Sequence, residues 1–212
     1  GIFLLEFADL FSIIKFKMFD TICHEHLEYY SSKVIINLAK KNNLRVFDIK
    51  KNNINGSSKQ FYLCHRDAVY KSNKKVINNE LKIEAKSKLQ KINTFKKFEK
   101  EINELRIKLL NFLNEKKNKG KSVHGYGAST KGNVLLQYFD IGNDLVKYIA
   151  ERNKNKFNLY TPGSKIKIIS EKYSRALKPD FYLVLPWHFK REILMRERNI
   201  REKGTQFIFP LP

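Results

Sequence analysis

Ser122-Val123-His124-Gly125-Tyr126-Gly127-Ala128-Ser129-Thr130-Lys131-Gly132-Asn133 carries the chain from a strand pattern into a helix pattern through two glycines. Glycine lets backbone come close to a phosphate, the free N–H groups of a helix start attract anions, and Lys131 adds a point charge. The stretch is not a P-loop, which would need glycine at Thr130 and Ser or Thr at Gly132. It also departs from Gly-x-Gly-x-x-Gly, because Thr130 stands at the third glycine. Two readings follow from spacing alone: a nucleotide or sugar-phosphate site on Gly125, Gly127, Ser129, Thr130, Lys131 and Asn133, or a tight strand-to-helix turn with no ligand.

Downstream, apolar runs and helical periods alternate. Residues 122–126, 146–151, 181–185 and 206–209 read as strands, and 129–138, 171–177 and 188–198 as helices. Such alternation specifies an α/β fold with a parallel sheet, a Rossmann-like domain whose ligand crevice lies at the carboxyl ends of the strands. Glu151 closes the strand after the glycine turn, about where a ribose-binding carboxylate belongs. Upstream, apolar residues recur every three or four positions over residues 79–118, predicting a long helix, or two in tandem with the break at Asn93-Thr94. Before that come a strand at 3–6, an amphipathic turn or helix at 9–16, a loop at 19–26, and a helix capped by Ser31 or Ser32. A strand at 44–49 then turns at Asn55-Gly56 into a return strand at 59–65. The expected division falls near residue 66. Residues 1–66 form a small leading piece with a β-hairpin, and 67–212 the long helix and Rossmann-like domain.

Composition narrows the function classes. The 212 residues carry 42 Lys+Arg against 21 Asp+Glu, a formal net charge of +21, yet 33 of the basic residues are lysine and only 9 arginine. Specific base readout favours arginine, and the lysines form no block, so the charge indicates surface solvation or an anionic small-molecule partner and no specific nucleic acid. No apolar run reaches the roughly 18 residues of a membrane span. Two cysteines, Cys23 and Cys64, build no disulfide framework, which makes a reducing, cytoplasmic compartment the default.

A second cluster, Cys23-His24-Glu25-His26, precedes Glu28, Tyr29 and Tyr30. Imidazole beside carboxylate suits general acid–base chemistry near neutral pH. A metal site would need further ligands at a spacing the chain does not offer. On spacing alone, a polar loop hydrogen-bonded to its own backbone is the favoured reading of the cluster.

Taken in order, several stretches resemble the S-adenosylmethionine-dependent sugar C-methyltransferases, which act on nucleotide-linked ketosugars. They are Phe19-Asp20-Thr21-Ile22-Cys23-His24-Glu25-His26-Leu27-Glu28-Tyr29-Tyr30-Ser31, Asn55-Gly56, the glycine turn, Tyr160-Thr161-Pro162-Gly163, Leu185-Pro186-Trp187-His188-Phe189 and Phe209-Pro210-Leu211-Pro212. The resemblance implies that residues 1–66 are the end of a donor-binding methyltransferase domain and that the rest is the Rossmann-like C-terminal domain. It puts the family's catalytic His and Glu on His26 and Glu25, with Cys23 where some relatives carry tyrosine. The implied reaction removes the acidic proton beside the sugar carbonyl, with His26 as base or relay and Glu25 orienting it; the enolate then attacks the donor methyl. Gly127, Ser129, Thr130 and Lys131 would hold the diphosphate or another part of the nucleotide sugar, with Asn153, Lys156, Tyr160 and His188 around them.

The acidic-Gly-x-Gly loop that would hold S-adenosylmethionine is absent from the sequence, which opens on Gly1 and has its first methionine at Met18. The expectation is therefore a C-terminal portion with little donor affinity of its own. Uncovered apolar faces around Leu4, Leu5, Phe11 and Ile14 would favour self-association. Two other classes remain open: a dinucleotide-dependent oxidoreductase, which would employ the glycine turn and Glu151, and a non-catalytic nucleotide-sugar-binding module.

Overall fold

The computed structural model describes residues 1–211; Pro212, the last residue of the terminal Phe-Pro-Leu-Pro stretch, lies outside the described residues. The chain divides into two compact units, Gly1–Met18 with His24–Lys100, and Phe19–Cys23 with Glu101–Pro212. This differs from a division at residue 66. The helix after that point packs on the first unit's sheet, and the Phe19–Cys23 segment belongs with the second unit.

In the first unit, strand β1 (Ile2–Phe7) leads to helix α1 (Leu10–Lys15), capped by Asp9, whose carboxylate accepts from the Ser12 amide. Helix α2 (Ser32–Lys41) is capped by Ser31 and followed by strands β2 (Leu44–Asn52) and β3 (Ser58–His65). The sheet is antiparallel in the order β1-β3-β2, with Phe61 of β3 opposite both Leu5 and Ile49. Alternation along β3 sends Phe61 and Leu63 into a core with Ile35, Ala39, Val46 and Ile49. Ile2, Phe3 and Leu4 on β1 are about half exposed.

Helix α3 (Lys74–Lys86) closes this unit over a buried cation. Lys59 Nζ lies 3.0 Å from Asp9 Oδ1, 3.0 Å from Glu80 Oε2 and 3.5 Å from Glu84 Oε1. Glu84 also accepts from the Ser32 and Lys33 amides at 2.6 and 3.1 Å, tying α3 to the start of α2.

The predicted long helix is two helices, α3 and α4 (Ile92–Asn118), and the break comes before Asn93-Thr94. Lys88 takes a left-handed φ of 54°, Ser87 bonds the Glu84 carbonyl, and Thr94 Oγ1 donates to the Lys88 carbonyl at 2.8 Å. Thr94 thus fastens the start of α4 across the turn that precedes it.

The second unit alternates β4 (Val123–Tyr126), α5 (Thr130–Tyr138), β5 (Ile149–Glu151), β6 (Ile168–Ser170), α6 (Glu171–Ala176) and β7 (Phe181–Val184). Helices α7 (Lys190–Arg196) and α8 (Arg198–Glu202) and strand β8 (Gln206–Ile208) complete it. All five strands are parallel, in the order β6-β5-β4-β7-β8, a Rossmann-like α/β sheet as expected. Strand β6 is an addition to the sequence reading. Central β4 and β7 are buried throughout, which explains the continuous apolar and aromatic character of β7, while β4 carries the buried His124. Among the described residues no helix is long and apolar enough to cross a membrane.

Candidate functional site

The carboxyl ends of the parallel strands frame a crevice of about 450 Å³ lined by Gly127, Ser129, Glu151, Glu171, Phe189 and Arg196, among others. It lies where the sheet order reverses about β4, as strand topology dictates. Two glycines shape its approach. Gly125 is buried in β4, where a Cβ would stand 2.3 Å from Ile149 Cδ1, and Gly127 turns the chain at φ +84° with Pro186 closely behind it. Ser129 caps α5, its Oγ accepting from the Gly132 amide at 3.0 Å.

Glu151 braces this turn with one oxygen and the chain that follows β5 with the other. Oε2 accepts from the Ala128 amide at 2.7 Å, while Oε1 accepts from the Arg152 and Asn153 amides, both at 2.8 Å. Lys156 Nζ donates to the Ala128 carbonyl at 2.7 Å, and Asn153 caps the short 3₁₀ turn Lys154–Lys156. Part of the anion-attracting backbone of the turn is therefore already engaged by the protein's own carboxylate.

An ionic network underlies the crevice. The buried Tyr126 hydroxyl donates to Glu197 Oε1 at 2.6 Å and receives a bond from Arg196; Arg175 Nε reaches Glu197 Oε2 at 2.9 Å, and Arg196 reaches Glu171 Oε1 at 2.8 Å. Burial, together with the bond to Glu197, pushes the Tyr126 phenol well above its usual range. Burial would raise Glu197 too, but bonds from Arg175 and Tyr126 outweigh it and hold the carboxylate below its usual value. Arg196 and Glu171 thus present fixed charges of both signs to the crevice.

Lys131 points elsewhere. Its ammonium lies 6.0 Å from the centre of the Trp187 ring and within electrostatic reach of Asp20 and Cys23. Asp20, on a 3₁₀ turn at Phe19–Thr21, accepts from Trp187 Nε1 at 2.7 Å, and Phe19 beside it stacks on Phe139 at 4.9 Å. Burial lowers Lys131 from its ordinary value, offset in part by Asp20 and Cys23; burial raises Asp20, offset in part by Trp187 and Lys131. His188, in the 3₁₀ turn Trp187–Phe189, is pushed down to about 4 by burial and then by Lys131.

The predicted residues thus sort into groups. Gly127, Ser129 and Glu151 meet on the crevice. Cys23, Lys131 and His188 gather with Asp20 and Trp187. Thr130 is exposed, Asn133 half-buried on α5, and Tyr160 is exposed in a bridge to Lys167. Glu25 and His26 lie exposed in irregular chain of the first unit. Asp20, Trp187, Arg196 and Glu197 received no role from sequence, although two of them stand inside quoted motifs. Their signal was an acid and the chain's single tryptophan set among aromatic neighbours. Among the described residues no group of three or more His, Cys, Asp or Glu is arranged to hold a metal ion.

A family model described as C-methyltransferase C-terminal domain matches residues 53–212. The C-methyltransferase NovU of Streptomyces niveus is 30% identical over 213 residues, which cover 100% of this chain and 50% of that protein. The chain spans about half the length of this curated relative.

Proposed function

The chain belongs to the C-methyltransferase C-terminal-domain family, and we propose that it is the C-terminal portion of an enzyme that methylates a carbon next to the carbonyl of a nucleotide-linked ketosugar. The observation that carries this reading is the crevice at the carboxyl ends of the parallel sheet, in a chain of that family. Its lining supports a nucleotide-sized ligand: Phe189 offers a half-exposed aromatic face, and Arg152 and Arg196 offer positive charge for a diphosphate.

On this reading His26 takes the proton from the sugar carbon onto an imidazole nitrogen, and the electron pair left behind delocalises onto the carbonyl oxygen as an enolate. Glu25 orients the ring and stabilises its charged form. S-adenosylmethionine, as donor, supplies an electrophilic methyl group on sulfonium. The residues before Phe19 do not fit that donor, since no acidic-Gly-x-Gly turn occurs among them. We assign its cradle to another part of the enzyme.

The test is methyl transfer to nucleotide-linked ketosugars by the enzyme that carries this chain. His26→Ala is expected to lower kcat by about 10²–10⁴ with KM little changed, the usual size of a lost positioned base. Glu25→Gln, which keeps shape and loses charge, is expected to cost less. Full turnover in His26→Ala would remove the base from the scheme.

A further inference from the structure

Two buried polar atoms of the second unit, contributed by different turns, have no hydrogen-bond partner: Asp20 Oδ1 and His188 Nδ1. Asp20 is 1% exposed. The Trp187 indole connects the two, bonded to Asp20 Oδ2 at 2.7 Å and set edge-to-face against the His188 ring at 5.7 Å. Lys131 faces the same indole. Native proteins rarely leave a buried carboxylate oxygen without a donor, and the exceptions cluster where a ligand or ordered water belongs.

The chemistry of the two atoms selects what fits. The diphosphate of a nucleotide sugar is fully ionised near neutral pH and has no proton to give Asp20, a cation would face Lys131, and an apolar group would leave both atoms unsatisfied. A hydroxyl both donates and accepts, so neighbouring hydroxyls could serve Asp20 and His188 together. Phe189, half-exposed and packed on the His188 ring at 4.3 Å, adds aromatic surface of the kind that packs against the C–H face of a sugar ring.

We infer that Asp20, His188 and Trp187 form a subsite for the hydroxyl-bearing sugar ring of the ligand, adjoining the crevice over Tyr126 and Arg196 through Phe189, which lines that crevice and packs on His188. This rests on the reading above that the ligand is a nucleotide-linked sugar. Each unpartnered atom then gains a bond that the free protein lacks.

Trp187 is the only tryptophan, so its fluorescence reports on this subsite without labelling. The experiment titrates the chain with uridine, thymidine and guanosine diphosphates and with the glucose conjugate of each, reading calorimetry and Trp187 emission together. For the base that binds, the conjugate is expected to be about tenfold tighter than the diphosphate, the order of a hydrogen bond to a charged acceptor. The conjugate alone is expected to shift Trp187 emission. Asp20→Asn, which keeps an oxygen for the indole, and His188→Ala should each erode that advantage while leaving diphosphate affinity unchanged. Equal affinity for conjugate and diphosphate with emission unmoved overturns the subsite and leaves the crevice reading standing. Equal loss of both ligands in both variants makes the residues structural and overturns it as well. Failure of every nucleotide to bind defeats the underlying reading and the subsite with it. A thermal melt screens Asp20→Asn for folding, and His188→Ala carries the test if that variant does not fold.

Discussion

Glu151→Gln separates two accounts of the glycine turn. In a dinucleotide site this carboxylate would hold a ribose; in the structure its oxygens accept three backbone amides. Glutamine keeps one oxygen. If that oxygen serves Arg152 and Asn153, the amide NH₂ faces the N–H of Ala128, a residue 7% exposed, and leaves it unsatisfied. One buried unsatisfied donor costs about 1–3 kcal/mol, and two charge-assisted bonds become neutral at about 0.5 kcal/mol each. The sum is about 3 kcal/mol, which lowers Tm by roughly 6–12 °C for a chain of this size. Thermal and urea unfolding measure it, with nicotinamide dinucleotide binding followed in parallel. A variant that melts within about 1 °C of the parent but loses dinucleotide binding would refute the brace and restore the oxidoreductase reading.

Protonation provides another check. Burial pushes His124 down from 6.5 to about 4, so the folded protein keeps it neutral while the unfolded chain takes up a proton below 6.5. Its contribution to stability is whole above that pH and falls as pH drops toward 4, by up to about 3 kcal/mol; an NMR titration placing His124 near 6.5 would sink this. Lys59→Met leaves Asp9 and Glu84 buried without their cation and Glu80 with Lys51 alone, and should destabilise the first unit by about 3–5 kcal/mol. Adding Glu84→Gln should recover part of the loss, and a neutral Lys59→Met would contradict the pairing. Gly125→Ala forces a methyl against Ile149 and should cost about 1–3 kcal/mol, recovered by Ile149→Val; lost ligand affinity at unchanged stability would make Gly125 a contact residue instead.

The parallel sheet was legible because β7 is apolar and aromatic throughout and β4 runs directly into a glycine turn. Strand β6 escaped notice because Ile168 and Ile169 follow an alternation of lysine and isoleucine that reads as exposed chain. The break at Lys88 carries no glycine or proline, whereas Asn93-Thr94 advertised a cap that proved to fasten the turn before it. Glu80 and Glu84 sit on the inward face of α3 for reasons found on other elements: Lys59 for both, Lys51 for Glu80, and the Ser32 and Lys33 amides for Glu84. The position of Glu151 could be read from spacing, but its partners could not, since one is the Ala128 amide of the turn it was expected to leave open to a ligand and the others are the amides of Arg152 and Asn153. Asp20 and Trp187 are 167 residues apart, and no local pattern joins them.

The central claim is proton abstraction by His26 from the carbon beside a ketosugar carbonyl, and exchange of that C–H with deuterated solvent tests it without the methyl-transfer step. In the enzyme that carries this chain, exchange into bound nucleotide-linked ketosugar is expected to be catalysed by the parent, slowed by about 10²–10⁴ in His26→Ala, and largely kept in His24→Ala. Exchange that persists in His26→Ala, or that vanishes in His24→Ala alone, would contradict the account.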